Sequence, residues 1–226
     1  MLRFGLAVMN NFALPTMPAK EEMELQEFSW NALRLRLCLP HPEEVMYAYR
    51  RQKLADPTTP FPYWTQVWPA ALALCRFLID HPQLTNDKRV VELAAGLGLP
   101  SLVAAQYAQC VVCSDYLHDA VEYQQASIRE NGLSNVHARL LDWHSLPHPF
   151  STDVVLLSDV NYVAADFAVL EAAIERFVKD GIDVIISTPQ RLLAKPFIEK
   201  ILPWSFQQDE VVIESKPISI YVLRLV

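Results

Sequence analysis

Glycine is scarce in this sequence, with five residues in 226, and cysteine is scarcer, with four. There is no low-complexity segment and no internal repeat, which leaves an ordinary globular chain as the expectation. No uninterrupted apolar run approaches the ~20 residues needed to cross a bilayer, so no membrane partner is expected. Basic residues are outnumbered, 19 Lys plus Arg against 26 Asp plus Glu, a formal charge of -7. That balance offers no footprint for a phosphate backbone and disfavours nucleic acid as a partner, while a basic protein segment is compatible with it. The cysteines, at 38, 75, 110 and 113, lie apart and within apolar runs, which favours a reducing, cytoplasmic setting. Cys110 and Cys113 form a lone C-x-x-C on a strand-like run, where residues three apart face opposite ways, and no second ligand pair accompanies them. Buried thiols are expected there, and no metal.

Apolar residues make up 52% and charged residues 20%, a globular balance, and the length suits one domain preceded by an extension. Residues 1–19 carry Arg3 and a short apolar stretch broken by Asn10 and Asn11. They read as a ragged extension rather than a signal peptide, and Met9, Met17 and Met23 are each a candidate start. From Phe28 to Leu39, alternating leucines and arginines predict a half-buried strand, and a helix follows from His41 to about Leu54. Three prolines between Asp56 and Pro62 then read as an ordered linker. The expected division is an extension over 1–60, serving as a lid or docking segment, and a main domain over 61–226.

From Pro69 onward the chain alternates helix and strand. Strands are predicted at Arg89–Leu93, Cys110–Ser114, Val136–Leu141, Val154–Ser158 and Ile182–Ser187. Helices are predicted at Pro69–His81, Leu99–Gln109, His118–Asn131, Val163–Val178 and Arg191–Leu202. Alternating elements with short connections imply a parallel sheet covered on both faces. The end departs from this pattern. Ser205–Glu214 and Ile218–Val226 are strand-like runs joined too tightly for a parallel crossover, so they are antiparallel. The expected fold is α/β, a doubly wound, seven-stranded mixed sheet with a C-terminal antiparallel hairpin.

Candidate chemistry collects where the strands end. Gly96 and Gly98 lie in a small-residue loop between Leu93 and a helix opening near Leu99, and their missing side chains would allow close backbone approach to a ligand. A dinucleotide pyrophosphate is one candidate ligand, but Glu92 just before the loop would repel it and would welcome the cationic methionyl end of S-adenosylmethionine. Asp115, ending the second strand, can accept both hydrogens of a ribose diol, or else cap the next helix. Asp142-Trp143, after the third strand, can hydrogen-bond and stack an adenine, though a core Trp is the simpler reading. After the fourth strand comes Ser158-Asp159-Val160-Asn161-Tyr162, at the switch point where reacting groups gather. Asp159 can orient an ammonium as it loses its proton, and Tyr162 can wall the acceptor channel. Plain capping and packing remain open for both.

Taken together, these residues resemble the seven-strand protein-lysine methyltransferases marked by D-x-x-Y after the fourth strand. The resemblance spans about Phe61 to the C-terminus. It rests on Trp64-x-x-x-Trp68, Glu92-Leu93-Ala94-Ala95-Gly96-Leu97-Gly98, Ser114-Asp115-Tyr116, Leu141-Asp142-Trp143 and Ser158-Asp159-Val160-Asn161-Tyr162. It implies S-adenosyl-L-methionine as cofactor, with Trp68 near it, Glu92, Gly96 and Gly98 in its loop, and Asp115 on the ribose. Trp143 would flank the adenine, Ser158 would line the pocket, and Asp159 and Tyr162 would border the acceptor. The acceptor it implies is a lysine on another protein. Ala94 departs from the family pattern, which usually has glycine there. Two other uses of the fold stay open: a small-molecule N- or O-methyltransferase, and a cofactor-binding scaffold without turnover, which Ala94 motivates. A nicotinamide dehydrogenase is disfavoured by Glu92 and by the terminal hairpin.

Overall fold

The computed structural model describes residues 23–225. The reading of residues 1–19 as an extension, with Met9 and Met17 as candidate starts, lies outside the described residues. The alternating run expected as one strand is two, β1 (Glu24–Trp30) and β2 (Leu33–Leu39), paired antiparallel. The apolar phase slips from even positions, Phe28 and Trp30, to odd ones from Leu33 onward. A two-residue turn at Asn31-Ala32 absorbs the slip, with Asn31 at φ 50°. Helix α1 (Pro42–Ala55) follows and has no buried residue.

Seven strands form the main sheet. They are β3 (Arg89–Leu93), β4 (Cys110–Asp115), β5 (Val136–Leu140), β6 (Val154–Ser158), β7 (Asp183–Pro189), β8 (Ser205–Ile213) and β9 (Lys216–Leu223), in the order β5-β4-β3-β6-β7-β9-β8. β3 to β7 run parallel, and β9 runs antiparallel to both β7 and β8. The hairpin turns at Glu214-Ser215, both with positive φ, so Lys216 and Pro217 belong to the strand rather than to the connection.

Five more helices accompany this sheet: α2 (Pro69–Asp80), which precedes it, and α3 (Leu99–Ala104), α4 (His118–Glu130), α5 (Phe167–Lys179) and α6 (Lys195–Ile201), which connect its strands. Three are shorter than the apolar spacing predicts, because single 3-10 turns or bends take the ends. Val163, expected on the buried face of α5, instead lies four residues before the helix and is 40% exposed. The α4 stop falls as expected, with Asn131 as the cap and Gly132 at φ 61°.

Strand periodicity divides the interior in two. Val90, Val154 and Leu156 share one core with α2, α3, α4 and the buried Leu35 and Leu37 of β2. Val91, Leu93, Val155 and Leu157 share the other with Leu170, Ile174 and Phe177 of α5 and Phe197 of α6. Complete burial of a side chain such as Phe177 contributes roughly 1.5–3 kcal/mol. The free edge of β2 is met by α4: Cys38 donates its N–H to Ser127 Oγ at 3.0 Å, and Asn131 exchanges hydrogen bonds with the Arg36 backbone at 2.8 and 2.6 Å. Among the described residues no helix is long and apolar enough to cross a membrane.

Candidate active site

The strand order reverses between β3, which continues to β4, and β6, which continues to β7. Their outgoing loops diverge to opposite faces and leave a crevice at the carboxyl edge. A cavity of about 650 Å³ opens there. Trp68, Gly96, Gly98, Asp115, Asp142, Trp143, Ser158, Asp159 and Tyr162 all line it. Glu92 does not.

Strand parity explains the exception. Glu92 shares its face of β3 with Val90, so its side chain runs into the α3 side of the sheet rather than out over the edge. It is fully buried, and Oε2 accepts the N–H and Oγ–H of Ser101 at 2.8 and 2.6 Å, while Oε1 has no partner. Burial raises its carboxyl to about 8, against the opposing Ser101 hydrogen bonds. At neutral pH it is therefore mainly protonated, and it underpins the loop from below. The expected meeting of its negative charge with a cation in the cavity does not fit this placement.

Gly96 and Gly98 line the cavity, and the packing of the protein itself also calls for glycine at both positions. A Cβ on Gly98 would lie 2.3 Å from Cys113 Sγ, and one on Gly96 would lie 3.3 Å from the Trp64 carbonyl oxygen. Both also sit at positive φ, 55° and 78° for Gly96 and Gly98. The crowding comes from the protein itself. Ala94 holds φ 50°, so the loop adopts at alanine the left-handed conformation that glycine would take freely.

Asp115 is buried at the tip of β4, where its two oxygens accept N–H groups from Gly96 and Leu117, each at 3.0 Å. Burial raises its pKa and these two bonds lower it. Each oxygen keeps a lone pair for a further donor, and a carboxylate can only accept, so a diol fits it. Asp142 caps the turn Trp143–Ser145, accepting from the His144 backbone at 2.9 Å and meeting the His144 ring at 2.8 Å. Trp143 beside it presents a flat apolar wall.

Around Asp159 and Tyr162 the cavity wall is aromatic and charged. The rings of Tyr162 and Tyr63 lie 4.9 Å apart, Tyr63 lies 6.0 Å from Trp68, and the Trp68 indole donates to the Tyr63 carbonyl at 2.8 Å. Burial, with Tyr116 and Asp115 nearby, pushes the Tyr162 phenol up to about 12, so it is neutral across the physiological range. Asp159 is 7% exposed, at φ 56°, and its Oδ1 is bound by Arg191 Nη1. Sequence reasoning placed Arg191 only at the start of a helix. The signal was available, since Arg191 follows the carboxyl end of β7 just as Asp159 follows that of β6.

Residues 63–203, well over half of the chain, match the lysine methyltransferase family. The chain belongs to the lysine methyltransferase family. It is 36% identical over 107 residues to the protein N-lysine methyltransferase METTL21A of Xenopus tropicalis, covering 45% of this chain and 49% of that protein. It is 32% identical over 111 residues to the histone-arginine methyltransferase METTL23 of Xenopus laevis, covering 46% and 47%. This lysine methyltransferase family member spans about half the length of the curated relatives it matches. A putative SAM-dependent methyltransferase of Streptococcus mutans shares the fold at TM-score 0.62 and 14% identity, over 90% of this chain and 56% of that one. The seven-stranded sheet is thus that of the S-adenosylmethionine-dependent methyltransferases.

Two variants test the loop. Ala94→Gly removes a left-handed alanine that costs roughly 1–2 kcal/mol, of which the greater freedom of glycine in the unfolded chain takes back about 0.4–1 kcal/mol, and the melting temperature is expected to rise by about 2–4 °C; a fall would contradict the strain at Ala94. For Glu92, the folded state holds its proton up to about pH 8, whereas the carboxyl's ordinary value is 4.5. Its contribution to stability is complete below that ordinary value and is lost as pH rises towards the folded one. Glu92→Gln should therefore gain stability relative to the parent across this window, measured by chemical denaturation at successive pH values. A gap between the two that does not change with pH would contradict the protonated Glu92.

Proposed function

We propose that the chain is an S-adenosylmethionine-dependent methyltransferase that N-methylates a lysine side chain of another protein. The observation that carries this reading is one cavity lined by two kinds of chemistry. A buried carboxylate, Asp115, and an indole, Trp143, suit a nucleoside. Asp159, Tyr162 and Tyr63 suit a nitrogen-bearing acceptor on an aliphatic stem. The family match adds the acceptor class.

S-adenosylmethionine, when bound, supplies an electrophilic methyl carbon. The residues of this chain supply position. Asp115 is held in place by two N–H groups before any ligand arrives, so ribose binding requires little reorganisation of it. Tyr63, Trp68 and Tyr162 enclose the lysine stem and exclude water. The neutral Tyr162 phenol can donate a hydrogen bond but cannot act as a base at neutral pH. No covalent enzyme intermediate is needed, because alignment of nitrogen with the methyl carbon is the main contribution to rate. A reducing cytoplasmic setting and a partner other than nucleic acid belong to the same proposal. They are supported by the free thiols of Cys75, Cys110 and Cys113 and by the acidic charge.

Incubation with a radiolabelled methyl donor and a cell lysate, followed by amino-acid analysis, tests the reading. Label is expected in a protein band and recovered as methyl-lysine. Label only in small molecules, or recovered as methyl-arginine, would contradict it. Asp159→Ala is expected to reduce the transfer at least a hundredfold while calorimetric affinity for S-adenosylmethionine stays within about threefold; unchanged turnover would remove Asp159 from the acceptor end.

A further inference from the structure

Asp159 has a cationic companion that the proposed reaction does not by itself require. Three links tie the loop after β6 to β7 and to the loop that follows it. Asp159 donates its N–H to the Ser187 carbonyl at 3.0 Å, Thr188 Oγ1 donates to the buried Asn161 Oδ1 at 2.7 Å, and Arg191 binds Asp159 Oδ1. Arg191 is one-third exposed and lines the cavity. Its backbone N–H donates to the Pro189 carbonyl at 2.8 Å, which fixes it just past the end of β7. Asp159 Oδ2 is left without a protein partner among the described residues.

The charges around this point determine the consequence. The cavity wall carries Asp115, Asp142, Asp159 and Asp166, with His144 on Asp142, and Arg191 is its one Lys or Arg among the described residues. Tyr63, Tyr116 and Tyr162 complete the titratable groups there, and burial raises the phenols of Tyr116 and Tyr162. A lysine nitrogen attacks only as the neutral amine, yet a lone carboxylate within about 4–6 Å would favour its ammonium by one to three pK units. Asp159 alone would thus hold the acceptor in its unreactive form, and no phenol nearby can take the proton.

We propose that Arg191 is a positioning residue of the acceptor end: by neutralising Asp159 it makes the cavity receive the acceptor nitrogen as an uncharged amine, which Asp159 Oδ2 orients by accepting an N–H. The proton leaves to bulk water. The nitrogen lone pair then forms the N–C bond as the methyl C–S bond breaks, and sulfur keeps that electron pair. This inference rests on the methyltransferase reading.

The probe is sinefungin, which carries an amine-bearing carbon in place of the methylated sulfur, with S-adenosylhomocysteine as the matched ligand lacking that amine. Titration calorimetry at about pH 8, in buffers of different ionisation heat, gives both affinity and proton release. Wild type and Arg191→Lys are expected to release protons on binding sinefungin. Arg191→Gln is expected to release none and to bind sinefungin about tenfold tighter relative to S-adenosylhomocysteine. Asp159→Asn leaves the guanidinium unopposed and should move that ratio the other way, so it carries the test if the Gln variant does not fold. Equal ratios and equal proton release across the variants would overturn the role of Arg191. If wild type binds neither ligand, the methyltransferase reading fails and this inference fails with it.

Discussion

The reversal of strand order between β3 and β6 is the constraint on which everything else depends. Parallel strands need crossovers, and crossovers that leave neighbouring strands for opposite faces cannot close over the edge between them. The crevice is therefore a product of topology, and the carboxyl ends of β4, β5, β6 and β7 bring its polar groups to it. One core holds α2, α3 and α4 against the sheet and the other holds α5 and α6, so the two rims are carried by separately packed layers. The rims meet across the cavity through the side chains that line it.

The loop after β3 shows how the interior dictates a functional surface. Gly98 is glycine because Cys113 Sγ lies beneath it, and Gly96 because the Trp64 backbone lies beside it. Gln124 donates to the Gly96 carbonyl at 2.8 Å, and Glu92 holds the first turn of α3 through Ser101. The buried, mainly neutral Glu92 keeps an unpaired Oε1, a cost of roughly 1–3 kcal/mol that the surrounding packing must offset. Ala94 adds strain at the same bend but does not prevent it. The loop is thus shaped in advance, which reduces the ordering that a ligand has to provide.

Much of this was legible in the residues. Val154–Ser158 is readable to the residue because a continuous apolar run between polar residues leaves little choice of register, and Arg89–Leu93 because a loop of small residues ends it. Asp115, Asp142 and Asp159 were readable as strand-end acids because polar groups at that edge need no partner from the core. The turn at Asn31-Ala32 was hidden because no glycine or proline marks it, and only the phase slip between Trp30 and Leu33 gives it away. Glu92 reads as a cavity residue because it stands next to the loop, whereas strand parity turns its side chain into the core. Arg191 was missed because helical periodicity assigned it to α6, whereas the structure puts it in the loop ahead of that helix. Pairing across two loops leaves no trace in the spacing of one sequence.

A crystal structure of the chain with S-adenosylhomocysteine addresses the central claim most directly. The account predicts the ribose hydroxyls on Asp115 and the adenine against Trp143, with the sulfur turned towards Asp159 and Tyr162. A nucleoside bound elsewhere, or a cavity left empty at saturating ligand, would contradict it.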